Sequence, residues 1–114
     1  MLNGQNASKY LESMMGRIKK SYKVDNTDKM RCYQIENSSN KVQIFFDAKT
    51  IKKCSFKFDY SIPVNIVGIS DVKKLTDYST AIDRIAVHKF CGIYQCYIES
   101  EVALEKLIEY FERI

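Results

Sequence analysis

Residues 90–114 read FCGIYQCYIESEVALEKLIEYFERI, and this stretch predicts a strand that leads directly into an amphipathic helix. Apolar side chains fall on both faces of residues 90–98, which is typical of a strand inside a sheet. Gly92 within that strand predicts a bulge or a close approach of backbone. Ser100 is a suitable N-cap, and Glu101 suits the positive end of the helix dipole. The apolar stripe of the helix is Val102, Leu104, Leu107, Ile108, Phe111 and Ile114.

A first helix is predicted over residues 8–22, because apolar residues recur there at helical spacing. Basic residues crowd the C-terminal end of this segment, where cations suit the helix dipole and where they would also reach phosphates. The apolar residues are Tyr10, Leu11, Met14, Met15, Ile18 and Tyr22, and the basic ones are Arg17, Lys19, Lys20 and Lys23.

Three strands are expected in the middle of the chain. Residues 30–35 and 41–46 flank a strong turn signal and predict a hairpin. Residues 51–60 alternate between apolar and polar side chains, which predicts one buried and one wet face. Lys53 and Lys57 would then lie on the wet face.

The segment after Pro63 is less regular. Residues 64–69 suit a short strand, residues 71–80 suit a loop or one helical turn, and residues 81–88 suit either a helix or a strand. The predicted fold is therefore a single α+β domain over residues 1–114. We expect a mostly antiparallel sheet of four to five strands, packed by the N- and C-terminal helices.

Composition narrows the functional class. The 114 residues suit one domain, and 46% of them are hydrophobic, which is enough for a core. No segment approaches the ~20 apolar residues of a membrane span, and the N-terminal residues lack the apolar region of a signal peptide. A cytoplasmic location is therefore expected, with reduced and mostly buried cysteines. The single histidine argues against a Cys/His zinc site.

Charge is distributed unevenly along the chain. Residues 1–57 carry 12 Lys and Arg against 5 Asp and Glu, whereas residues 58–114 carry 6 against 9. A basic first half suits an anionic partner, although a solvated surface without any partner explains the same asymmetry. The residues expected to contact a nucleic acid or another anion are Arg17, Lys19, Lys20, Lys23, Lys49, Lys52, Lys53 and Lys57.

An enzymatic alternative starts from Asp47 and Lys49. A strand that ends in acid-x-Lys matches half of a motif of restriction-type nucleases, in which carboxylates bind Mg²⁺ and the lysine positions water. A second acid is needed, and Asp28 or Glu36 would serve, with Glu12 assisting. A hairpin turn explains the same residues without any chemistry.

Two further features bear on function. His88 suits a general base, but a lone histidine is more often structural or exposed. Proteins that bind single strands present aromatic rings on a basic sheet face. Because Phe56 and Phe58 alternate with Lys53 and Lys57, these rings are expected in the core instead.

From His88 onward, the chain resembles an uncharacterised C-terminal domain of bacterial restriction-type and DNA-modification-associated proteins. The order of helices and strands also agrees. That family has no assigned activity, so the resemblance implies an accessory module in nucleic-acid defence or processing and no catalytic residue. The residues that carry it are His88, Gly92, Tyr94 and Ile98, followed by Leu104, Leu107 and Phe111 of the acidic-start helix.

We therefore expect a non-enzymatic binding module that acts through a protein or nucleic-acid partner, without a cofactor and without a membrane. One alternative is a nuclease that uses Asp47 and Lys49 with Mg²⁺. Another is a small phage-type inhibitor of a host protein. A homodimer is also left open, because the hairpin would offer an edge strand.

Overall fold

The computed structural model describes residues 1–14, 16–21, 30–77 and 92–114. Several predictions fall outside these residues, and the structure does not bear on them. They concern Met15, Tyr22 and Lys23 of the first predicted helix, the acid candidate Asp28, the segment 81–88 with His88, and Phe90 and Cys91.

The described residues form a six-stranded antiparallel sheet with one helix at each end of the chain. The predicted α+β class is confirmed, with slightly more strands than the four to five expected. The elements are α1 (Gly4–Glu12), β1 (Ile18–Lys20), β2 (Met30–Ile35), β3 (Gln43–Asp47), β4 (Phe56–Phe58), β5 (Ile69–Lys74), β6 (Tyr94–Ile98) and α2 (Glu101–Glu112).

The strand order across the sheet is β1-β2-β3-β4-β6-β5, and all neighbouring pairs are antiparallel. The strand β6 lies between β4 and β5, so its predicted place inside the sheet is confirmed. The predicted hairpin of β2 and β3 is present, but β1 pairs with the other side of β2. The hairpin therefore offers no edge, and that expectation is wrong. The edges of the described sheet are β1 and β5, and a homodimer stays a prediction.

One face of the sheet packs against both helices. Tyr33, Ile44 and Phe58 lie directly opposite one another across β2, β3 and β4, and all three are buried. The Phe58 ring stacks on Phe111 of α2, with 5.4 Å between ring centroids, and Leu11 of α1 is buried in the same core. Each such side chain stabilises the fold by about 1.5–3 kcal/mol when fully buried.

The residues that alternate with these core residues point to the opposite side of the sheet, which we call the second face. One row of the second face crosses five strands in register, from β2 to β5. Its first members are buried, whereas its last members carry polar groups near solvent. The row is Cys32, Phe45, Lys57, Gln95 and Lys73.

The first helix ends at Glu12, so the predicted span of residues 8–22 is wrong. Gly16 has a φ of 85°, a left-handed conformation that an α-helix does not contain. Beyond it, residues 18–20 form β1, and Ile18 lies opposite Ile35 of β2. Ile18 therefore packs on the core as a strand residue.

The segment after β3 also differs from the predictions. Within residues 51–60 only Phe56–Phe58 is strand, and the predicted strand at residues 64–69 instead begins at Ile69. Residues 71–74, expected in a loop, belong to β5. Because β5 is an edge strand, its pattern of half-buried and exposed residues lacks the apolar run of an interior strand.

The C-terminal stretch follows its prediction closely. The Ser100 side chain accepts a hydrogen bond from the Ala103 amide at 3.3 Å, which confirms it as the N-cap. Gly92 lies just before β6 and has a φ of 94°, and a Cβ atom there would lie 2.5 Å from Cε of the Lys74 side chain. The close neighbour is therefore a side chain and not the predicted backbone. Val102, however, is exposed, and Ala103 is buried in its place.

The described cysteines are buried and free, as predicted. They are Cys32, Cys54 and Cys96. Burial raises the pKa of both Cys32 and Cys96 to about 12, so these thiols are unreactive at neutral pH. No helix in the described ranges is long and apolar enough to span a membrane.

Candidate functional site

Asp47 and Lys49 lie in a turn that receives the start of α1. An oxygen of the Asp47 carboxylate accepts a hydrogen bond from the Lys49 amide at 2.9 Å. Gly4 donates its amide to Thr50 Oγ1 at 2.8 Å, and Gln5 donates to the Thr50 carbonyl at 3.1 Å. The turn thus satisfies amides that the first turn of a helix leaves without partners. This matches the turn interpretation of the sequence, and a catalytic role stays a prediction.

Of the acids expected to join Asp47, Glu36 lies elsewhere and Asp28 falls outside the described residues. Met30 lies opposite Asp47, and Glu36 follows the far end of the same strand. At ~3.3 Å per residue, Glu36 is therefore about 20 Å from Asp47. Among the residues that the structure describes, no three His, Cys, Asp or Glu side chains form a metal-binding group. The described geometry does not bring Glu36 to Asp47.

Arg17 is bound to the C-terminal helix. Its Nη2 lies 2.7 Å from Glu112 Oε1, its Nε donates to Glu112 Oε2 at 3.0 Å, and its Nη1 lies 2.7 Å from Glu105. Hydrogen bonds from Arg17 lower the pKa of Glu112. Burial and the Glu105 carboxylate raise the pKa of Tyr10, which donates to Glu105, to about 12. Arg17 therefore joins the segment after α1 to α2.

A second polar network surrounds Glu12 at the end of α1. Lys20 Nζ lies 2.5 Å from Glu12 Oε1, and Ser8 Oγ donates to Glu12 Oε2 at 2.9 Å. The Tyr33 hydroxyl lies 2.7 Å from Ser8 Oγ, and Arg31 Nη1 lies 3.5 Å from Glu12. Burial tends to raise the pKa of Glu12, but the bonds from Lys20 and Ser8 outweigh it and the pKa is lowered. Three of the residues that line the cleft of about 320 Å³ at this network, Glu12, Lys20 and Tyr33, already bind one another through the Glu12 carboxylate.

The other described basic residues of the predicted set make no ion pair with Glu12, although Lys19 lines the same cleft. Lys19 is exposed on β1, opposite Gln34 of the second face. Lys49 and Lys52 are exposed in the connection between β3 and β4. Lys53 lies over the Tyr97 ring of the second face, and Lys57 lies opposite Gln95 on the same face. The basic residues predicted as one set therefore lie on different surfaces.

A group of lysines meets an aromatic ring on the second face. Lys53 Nζ lies 4.0 Å from the centroid of the Tyr97 ring, a cation–π contact. Lys57 and Lys73 flank Gln95 on the two neighbouring strands. With ~4.8 Å between strands, the Cα atoms of these two lysines are about 10 Å apart. Burial lowers the pKa of Lys57.

A cleft of about 370 Å³ lies beside this group, between β5 and β6. Within the described chain, the side chains of Asp71, Lys73 and Gln95 make no hydrogen bond or ion pair. A β-bulge in β5 precedes Lys73, and Asp71 within it has a φ of 53°. Bulges redirect side chains and are frequent beside binding sites. The lining residues are Asp71, Val72, Lys73, Gln95 and Tyr97.

Sequence reasoning missed this cleft. It had no means of bringing Lys73 and Asp71 beside Tyr97. The pairing of β5 with β6 does that, and β5 lacks the apolar alternation that identifies a strand. The two consecutive lysines at 73–74 were the available signal.

Comparison of the chain with protein-family models, with curated proteins and with solved structures finds no match. The resemblance of the segment from His88 onward therefore stays a prediction.

Proposed function

We propose that this domain is a non-enzymatic binding module that holds a nucleic-acid strand against the second face of its sheet. The observation that carries the proposal is the cleft between β5 and β6, where the side chains of Asp71, Lys73 and Gln95 make no hydrogen bond or ion pair among the described residues. The polar groups around Glu12 bind one another, whereas Asp71 and Lys73 face solvent without such contacts. Groups that converge without binding one another are suited to a ligand.

The charge of the second face favours an anion. Lys53, Lys57 and Lys73 lie in or beside the cleft, and Asp71 is the one acid among the described residues that line it. The ammonium of Lys57 is half-buried and donates to Ser55 Oγ at 3.1 Å. Because burial disfavours its charged form, a phosphate oxygen beside Lys57 would provide the missing counter-charge. Lysines that neutralise phosphates supply most of the sequence-independent affinity for nucleic acids.

The aromatic ring favours a nucleic acid over an acidic protein. Tyr97 is half-buried in the cleft, and bases stack on such rings with a gain of about 1–3 kcal/mol each. An acidic protein would use the lysines but would have no need of a ring beside an amide. The resemblance to restriction-associated proteins agrees with this proposal. The inhibitor of a host protein stays a prediction.

Two charge-reversal variants test the proposal. We expect Lys53→Glu/Lys73→Glu to weaken binding of a labelled single strand of about ten nucleotides by at least about tenfold at low salt, because two phosphate contacts become repulsive. The measurement is fluorescence anisotropy with DNA and RNA strands. The matched control is Lys9→Glu/Lys106→Glu, which makes the same charge change on exposed positions of the two helices. We expect the control variant to bind the same strands less than about threefold more weakly than the unchanged protein.

Equal weakening by the two variants would contradict a site on the second face. Absence of binding to any strand at low salt would discard a nucleic-acid partner and favour a protein partner. The same strands also test the nuclease alternative, which predicts cleavage that requires Mg²⁺ and disappears in Asp47→Ala.

A further inference from the structure

Asp71 is the unusual residue of the cleft. Its φ of 53° places a residue other than glycine in the left-handed region, inside the bulge of β5. Strained backbone of this kind is concentrated at ligand-binding and active sites. Asp71 lines the cleft together with Lys73, yet the two make no ion pair. The bulge therefore adds an acid to a cleft whose other charged lining residue is a lysine.

A carboxylate at this place would repel a phosphate, so its partner on a nucleic acid must be a hydrogen-bond donor. A carboxylate has two oxygens that accept in parallel. Among the four common bases, only guanine has two neighbouring donors on its Watson–Crick edge, N1–H and the N2 amino group. On the Watson–Crick edge of each other base, every donor has an acceptor next to it. That acceptor would be repelled by a carboxylate oxygen.

The other lining groups suit the remainder of a guanine nucleotide. The amide of Gln95 can donate to the O6 atom, and the ring of Tyr97 provides a surface for stacking. Lys73, at the rim of the row, can reach a phosphate of the same strand. The cleft volume of about 370 Å³ lies in the usual range of small-molecule sites.

From these contacts we infer that the cleft between β5 and β6 binds the base of an unpaired guanine, with Asp71 accepting from N1–H and N2–H. The inference rests on the proposed function and specifies its ligand. In a duplex the Watson–Crick edge of guanine is occupied by cytosine, so the site selects single strands.

The test compares short thymine-rich strands that differ at one central base, which is guanine, hypoxanthine or adenine. Hypoxanthine keeps N1–H and lacks the N2 amino group. We expect the guanine strand to bind at least about fivefold more tightly than the adenine strand, with the hypoxanthine strand between them. A duplex of the guanine strand should compete poorly.

The variant Asp71→Asn should abolish the guanine preference while leaving the salt-dependent binding of the adenine strand in place. Asparagine has the same size and tolerates positive φ as aspartate does, so the bulge is retained. The matched control is Asp77→Asn, which removes the same charge from an exposed residue outside the cleft. It should keep the full preference.

The outcomes separate the two proposals. Equal binding of all three strands by the unchanged protein, or a guanine preference that survives Asp71→Asn, would overturn the guanine site and leave the binding module standing. Failure of every strand to bind at low salt would overturn both. The comparison of the three strands uses the unchanged protein. It therefore tests the guanine preference even if the Asp71→Asn variant folds poorly.

Discussion

Gly4 begins α1 directly against the turn that follows β3. A Cβ atom at this position would overlap the carbonyl oxygen of Asp47 and would lie 2.6 Å from Thr50 Oγ1. The first of these is a backbone atom, fixed by the strand pairing of β3. The helix therefore approaches the turn as closely as it does because residue 4 has no side chain.

We expect Gly4→Ala to lower the free energy of unfolding by about 3 kcal/mol, because the added methyl group forces α1 away from the turn. Helix propensity alone predicts the opposite sign, a gain of up to about 1 kcal/mol. Urea unfolding measures the difference. Asn6→Ala, at an exposed position of the same helix, is the control and should change stability by less than about 0.5 kcal/mol. A Gly4→Ala protein as stable as the unchanged one would contradict the packing of α1 on the turn.

Asp71 illustrates why residues of the candidate site were not identified from sequence. An exposed acid in a polar segment carries no pattern, and its position depends on the register of β5 against β6. That register joins segments far apart in the chain and contains a bulge, which strand periodicity does not reveal. The Ser100 cap was predictable, in contrast, because its hydrogen bond reaches only to Ala103.

The same distinction holds for whole elements. The helix α2 was predicted because its cap, its first acid and most of its apolar stripe lie within twelve residues of one another. The span predicted for the first helix was too long because Leu11, Met14 and Ile18 also fit helical spacing. A strand of three residues such as β1 is too short to show a period of its own. Its identity comes from pairing with β2, which is a tertiary contact.

Arg17, just before β1, forms ion pairs with Glu105 and Glu112 of α2. The ion pair with Glu112 predicts how the stability of the protein depends on pH. Because hydrogen bonds from Arg17 lower the pKa of Glu112 from its ordinary 4.5, the folded protein binds that proton less readily than the unfolded chain. The contact therefore contributes its full stability above the unfolded pKa and loses it as pH falls through the lower, folded pKa.

We expect Glu112→Gln to reduce stability by about 1 kcal/mol at neutral pH and to flatten its fall below about pH 4.5. The measurement is urea unfolding at a series of pH values. Glu109→Gln, on the same helix and without an ion pair among the described residues, should leave the pH profile unchanged. Parallel profiles for Glu112→Gln and the unchanged protein would show that the contact does not form in solution.

At the scale of the whole molecule, charge is arranged by face, whereas the sequence suggested an arrangement by halves. Two cations on the helix side are bound to carboxylates, Arg17 to Glu112 and Lys20 to Glu12. The described cations from the first half of the chain therefore lie on more than one surface. The second face combines Lys53 and Lys57 from the first half with a lysine from the second half, Lys73.

This arrangement predicts a modest salt dependence for nucleic-acid binding. Single strands contribute a slope of about −0.7 for each phosphate contact in a plot of log affinity against log salt. Three lysines of the second face, Lys53, Lys57 and Lys73, therefore predict a slope of about −2. The eight cations expected from sequence would give between about −5 and −6 if all of them contacted phosphates.

Anisotropy titrations at several salt concentrations measure this slope. Lys53→Glu/Lys73→Glu should reduce it to about −0.7, since Lys57 alone would still contact a phosphate. Lys9→Glu/Lys106→Glu should keep it near −2. A slope of about −6 or steeper would need Lys73 and all eight of the cations expected from sequence, and would mean that Arg17 and Lys20 also contact the strand. Both would then have to leave their carboxylates, and the free energy lost with those ion pairs would weaken the observed binding.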